Sequence, residues 1–301
     1  MKRFGKRTTE KRNSILTLML ILSLLAGCAA GTAAAETAKG AFDRVIALSR
    51  SNAELWILAG GKLIATSDDA AGMDGLNEDA QFLGDMDHVS LEAIAALSPD
   101  LLILFSTEPA QKALGEAAEG IGIHVYYTNI DSFDDYDRVM KELTGFTGCS
   151  GAYERHVEQV REEIGGILRQ VPEKAEKDSY LLLHVSATKS KAEKNDYFAC
   201  EILNGLGLDN LAGDSSAFDV LSMEAIVAAD PDYIFVVPRG NEKKAAESYE
   251  KLFSSQPAWE ALSAVRDGRH FLLDKNLFGL KPNARWAEAY REVYDLLYGQ
   301  P

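Results

Sequence analysis

Apolar residues along this chain follow two alternating periods. Short, nearly continuous hydrophobic runs at 44–48, 101–105, 123–126, 180–185, 233–237 and 271–273 have the length and content of buried strands. Between them lie segments of helical spacing. Leu55, Ile57 and Leu58 recur within 51–58, with Ser51 or Asn52 placed to cap the first turn and Gly60-Gly61 placed to end it. This strand–helix–strand rhythm predicts an α/β chain whose strands run mostly parallel under helices on both faces.

The rhythm breaks once. Over 150–170, Tyr153, Val157, Val160, Ile164, Ile167 and Leu168 share one helical face, charged residues fill the other, and Pro172 stops the pattern. A helix of roughly 20 residues spans about 30 Å, the width of a small domain. It suits a rigid bridge between two lobes, although a long surface helix within one lobe has the same pattern. The alternating rhythm then resumes, with helices expected at 198–206 and 284–298. The division expected is a first lobe at 42–149, a bridging helix at 150–171 and a second lobe at 172–301.

One phrase occurs twice. Ser90-Leu91-Glu92-Ala93-Ile94 leads to Pro99-Asp100 and an apolar run, and Ser222-Met223-Glu224-Ala225-Ile226 leads to Pro231-Asp232 and another. Each copy reads as a short helix with a carboxylate in its first turn, feeding a buried strand. Two similar lobes imply a cleft between them. A matched pair of surface acids implies a partner that meets both lobes, while a first-turn acid is also stabilised simply by the helix dipole.

The N-terminus carries Lys2, Arg3, Lys6, Arg7, Lys11 and Arg12, then an apolar stretch at 15–26 that is short for a membrane span and suited to a secretory signal. It closes on Leu25-Ala26-Gly27-Cys28, which matches the bacterial lipobox. The expectation is a leader at 1–27, acylation of Cys28, a flexible tether at 28–41, and a protein lipid-anchored on the extracytoplasmic face of the bacterial cell membrane. Loss of that leader removes six basic residues and Glu10, moving the formal charge from −15 to −20. So acidic a body argues against nucleic acid as a partner. Cys149 and Cys200 stand far apart, and free thiols are expected ahead of a disulfide.

Taken in order, these blocks resemble the substrate-binding lipoproteins of ATP-driven (ABC) importers for ferric siderophores, haem and cobalamin. The likeness covers 43–301 and includes Arg44-Val45-Ile46-Ala47-Leu48-Ser49, both Ser-x-Glu-Ala-Ile blocks, Leu206-Gly207-Leu208-Asp209-Asn210-Leu211, and Lys281-Pro282-Asn283-Ala284-Arg285-Trp286. The resemblance implies two Rossmann-like lobes with parallel-sheet cores, joined by one rigid helix, with ligand in the cleft between them. It also implies that Glu92 and Glu224 dock against arginines of a membrane permease dimer.

Sites in open α/β sheets lie in the loops at the carboxyl ends of the strands. Those loops supply Arg50, Asp68, Asp69 and Arg239, and a dense basic stretch of Lys189, Lys191 and Lys194 with Tyr197 close behind. Lys281 and Arg285 add charge later. Cations beside aromatics suit a bulky anionic ligand such as an iron chelate, haem or a corrinoid phosphate, while a lysine run is as often a solvated face. Neither a Gly-x-Ser-x-Gly elbow nor a Walker loop is present, and the histidines show no close pairing, so no catalytic residue, protein-held metal or cofactor is expected. The function expected is capture of an iron complex, most simply a ferric siderophore, and its delivery to a permease. Haem or cobalamin binding within the same importer class is the near alternative, and an exported α/β enzyme is the distant one.

Overall fold

The computed structural model describes residues 40–299; the expected leader, Cys28 and the tether up to residue 39 lie outside the described residues. Among the described residues no helix is long and apolar enough to cross a membrane.

The first lobe is built on β1 (Val45–Ala47), β2 (Leu63–Thr66), β3 (Gln81–Phe82), β4 (Leu101–Phe105) and β5 (His124–Thr128). They pair in the order β3-β2-β1-β4-β5, and every pairing is parallel. Val45 and Ala47 face one hydrophobic cluster and Ile46 the other, so the central strand is buried on both faces. That is why its sequence is a continuous apolar run.

The second lobe centres on β6 (Asp178–Val185), flanked by β7 (Ser190–Ala192), β8 (Leu208–Asn210), β9 (Tyr233–Pro238) and β10 (His270–Leu272). Strands β8 and β9 run parallel to β6, and β10 parallel to β9. Strand β7 is antiparallel to β6. The core of the second sheet is thus parallel, as expected, and β7 is added to it as an antiparallel edge strand. Only a tight turn joins β6 to β7, closed by the Ser186 N–H on the Lys189 carbonyl at 2.9 Å. A parallel return would need a crossover of a dozen residues or more.

Between the two sheets the chain runs through helix Phe133–Thr147 and then through contiguous helical segments Ser150–Tyr153, Glu154–Glu158 and Gln159–Leu168, the middle one a π turn. Val157, Val160, Ile164 and Ile167 are buried, as the apolar stripe predicts. Within the π turn the His156 carbonyl accepts from the Tyr136 hydroxyl at 3.0 Å, which satisfies a group that the widened turn disturbs.

The repeated phrase makes the same local structure in both lobes. Ser90 caps helix Leu91–Ala96 and Ser222 caps helix Met223–Ala229, each accepting at Oγ from the amide three residues on at 3.2 Å. The aspartate of each copy then clamps the start of the neighbouring central strand. Asp100 accepts from the amides of Asp43 and Arg44 at 2.8 and 2.9 Å. Asp232 accepts from the Ser179 amide and hydroxyl at 2.8 and 2.7 Å.

One hydrophobic cluster runs from Val45 and Leu101 through Phe133 and Val157 to Tyr180 and Phe235, and so unites both lobes. At its middle Trp286, fully buried, meets Phe133 and Phe198 edge-on, each at 5.8 Å between ring centroids. Glu201 of the second lobe accepts from the Phe133 amide at 3.0 Å, capping a first-lobe helix from across the boundary.

Candidate functional site

The carboxyl ends of both sheets open onto one cleft of about 710 Å³. Its walls come from the segments after β1, β2, β4, β6 and β9, together with residues 279–285. This is where open α/β sheets place their ligands, and here two sheets converge on a single space.

The rim at β1 is held under strain. Ser49 is buried with φ of 92°, a region that favours glycine. Its Oγ accepts from the Asn52 amide at 3.2 Å, and its own N–H donates to Ser67 Oγ at 2.7 Å. Ser67 donates in turn to Asp69 Oδ1 at 2.6 Å, and Asp69 Oδ2 accepts from the Arg50 amide at 2.8 Å. Asp69 thus spends its charge on the start of helix Arg50–Leu58 and presents Arg50 to the cleft.

Arg50, Asp69, Tyr197, Arg239, Lys281 and Arg285 all line the cleft. Two of these cations are neutralised by the protein itself. Lys281 pairs with Asp131 at 2.9 Å and lies 5.4 Å over the Phe198 ring. Arg285 grips both carboxylate oxygens of Glu288, at 2.7 and 2.6 Å, and this fork holds the Glu288 carboxyl below its usual range.

Asp68, Lys189, Lys191 and Lys194 are not brought to the cleft wall. Asp68 accepts from the Gly84 amide at 3.1 Å. Lys189 closes the exposed hairpin turn, donating through its amide to Ser186 Oγ at 3.0 Å. Lys191 lies 2.9 Å from Glu193 Oε2, and Lys194 reaches the Ser215 carbonyl at 2.7 Å and Asp219 at 2.8 Å. The basic stretch is a hairpin strand and its flanks, tied down by local partners.

The structure adds a residue that the sequence pattern hides. His184, at the end of β6, lines the cleft although it is only 4% exposed. Its Nδ1 meets the Glu193 carboxylate, and its Nε2 lies 3.3 Å from the Tyr197 hydroxyl, which donates to the Phe278 carbonyl at 2.5 Å. Burial, reinforced by the Glu193 charge, pushes the Tyr197 phenol well above its ordinary pKa, so it stays neutral. Burial alone would raise the Glu193 carboxyl, but hydrogen bonds from His184 and Lys191 outweigh it and hold the group low. Met86, Phe105, Phe198 and Leu280 complete the apolar part of the wall.

Glu92 and Glu224 stand exposed on their capped helices. Among the described residues no group of His, Cys, Asp and Glu is placed to hold a bare metal ion.

Residues 45–277 match the model of the periplasmic binding protein family, and the chain belongs to that family. It is a solute-binding protein and not an enzyme. The uncharacterised ABC transporter substrate-binding lipoprotein YvrC of Bacillus subtilis is 26% identical over 225 residues, 72% of this chain and 67% of its own. A vitamin B12-binding protein of Vibrio parahaemolyticus is 24% identical over 202 residues, 64% of this chain and 70% of its own. In fold, the periplasmic haem-binding protein HutB of Vibrio cholerae is similar with a TM-score of 0.69 and 19% identity, over 85% of this chain and 98% of its own.

Proposed function

We propose that this protein is the extracytoplasmic binding component of an ABC importer, held at the bacterial cell membrane by a lipid on Cys28. It captures an iron complex in the interlobe cleft and delivers it to a permease dimer that docks on Glu92 and Glu224. The observation that carries this reading is the cleft itself: two lobes of like design converge on it with four cations and an aromatic wall. The names of the relatives supply the importer class, since YvrC is an ABC transporter lipoprotein and other relatives bind vitamin B12. A ferric siderophore is the cargo proposed first, because a metal already wrapped by its chelator needs cations and aromatic surface from the protein and no ligand atoms. Haem or cobalamin within the same importer class is the second reading, favoured by the named relatives and by the fold neighbour HutB.

The test is to add ferric siderophores, haemin and cobalamin separately to the full-length chain while following tryptophan fluorescence and visible absorbance. Trp286 touches the cleft-lining Phe198 and so sits within reach of the signal. Quenching by ferric siderophores alone supports the first reading, and a shifted Soret band the haem reading. No response to any of the three would remove the proposal.

A further inference from the structure

Of the four cations lining the cleft, two are already matched within the protein, Lys281 by Asp131 and Arg285 by Glu288. Arg50 and Arg239 are not. Among the described residues neither guanidinium has an ion pair or a hydrogen bond, and each residue's own bonds are made by its backbone. Two of the three acids that line the cleft are committed elsewhere. Glu54 accepts from Asn283 at 2.7 Å, and Asp69 is spent on Ser67 and the Arg50 amide. Among the described residues Glu108 is the lining acid left without a side-chain partner; it precedes helix Pro109–Glu119 and makes no capping bond.

The two free arginines come from different lobes. Arg50 opens helix Arg50–Leu58, where the positive end of the helix dipole adds to its charge. Arg239 directly follows β9. A guanidinium is a rigid fork that matches a carboxylate or a catecholate edge with two parallel hydrogen bonds. Left unmatched beside a bound cargo, it loses water and gains nothing.

Resting on the reading of the cleft as the ligand site, we propose that the cargo is a polyanionic chelate gripped by Arg50 from one lobe and Arg239 from the other. Glu108 sets its orientation by repelling anionic groups from the β4 side. The class selected is that of ferric catecholates and ferric hydroxycarboxylates. Neutral ferric hydroxamates and corrinoids are disfavoured. Haem also offers two carboxylates, and the experiment separates it from the chelates.

The experiment measures affinities of the full-length chain for an anionic ferric tris-catecholate, ferric citrate, a neutral ferric tris-hydroxamate, haemin and cyanocobalamin. Arg50→Gln, Arg239→Gln, the corresponding Lys variants and Lys189→Gln are then compared. The expected result is tight binding of the anionic chelates. Each Gln variant should weaken it about tenfold to a hundredfold, since hydrogen bonds to charged groups are worth that much. Lys should recover part of the loss, Lys189→Gln should leave affinity unchanged, and added salt should weaken the wild type more than the double Gln variant. Tighter binding of the neutral hydroxamate or the corrinoid would overturn the polyanion assignment while leaving the solute-binding reading intact. So would preference for haemin over both anionic chelates, or anionic binding indifferent to both Gln changes. Failure of every probe to bind would overturn both.

Discussion

Asn283 of the second lobe donates through Nδ2 to Glu54 of the first at 2.7 Å, and it does so from a fully buried position with φ of 48°. Asparagine tolerates that left-handed backbone better than most residues. Asn283→Gly should keep the backbone and lose the bond, at a cost of about 2 kcal/mol in urea unfolding. Asn283→Ala should cost about 1 kcal/mol more, because a Cβ adds backbone strain. Equal losses would show that the conformation carries no penalty.

Trp286 is wedged between an aromatic ring from each lobe. Trp286→Ala should destabilise the protein by about 3–5 kcal/mol, with Trp286→Phe clearly milder. Because this ring joins the lobes, the alanine variant should also weaken ligand binding. A variant that lost stability and kept full affinity would show that the wedge does not shape the cleft.

The Glu193 carboxyl lies below its ordinary value of 4.5 in the folded protein. A lowered acid contributes stability above its unfolded pKa and loses it as pH falls through the folded one. Glu193→Gln should therefore destabilise by about 2 kcal/mol at neutral pH, with the gap narrowing as pH falls below the ordinary value of 4.5. Unfolding curves at a series of pH values measure this, and a constant gap would rule out a role for the charge.

If Glu92 and Glu224 meet permease arginines, reversing both to Arg should abolish uptake in cells while leaving affinity in solution unchanged. Single reversals should fall between. Full uptake by the double variant would remove the docking assignment.

Cys149 and Cys200 are both free thiols. Cys200 is buried and burial pushes its thiol up to about 12, whereas Cys149 is partly exposed. Only a thiolate reacts readily, so a thiol reagent mapped by mass spectrometry should label Cys149 in the native state and Cys200 only after unfolding. Prompt labelling of Cys200 would contradict the packing.

The strands buried on both faces, β1, β4, β6 and β9, were legible because their sequences have no polar face to show. Strands β2 and β3 were not: β2 is four residues long, and β3 is two exposed residues on the sheet edge. The lysine stretch misled for a related reason. Charge density is visible in a sequence, but the antiparallel pairing that decides where Lys189, Lys191 and Lys194 point is a tertiary fact. His184 is hidden in the sequence because its neighbours in β6 are apolar. Its place at the strand's carboxyl end was the available signal, the same rule that located Arg50 and Arg239.

The lobes are fastened to each other by Trp286, by Asn283 on Glu54, by Lys281 on Asp131 and by Glu201 on the Phe133 amide. A receptor so fastened is built as a mould and not a jaw, since closing or opening it would break these contacts. A membrane partner that must tell a loaded receptor from an empty one therefore has to sense the cargo's own surface at the mouth of the cleft.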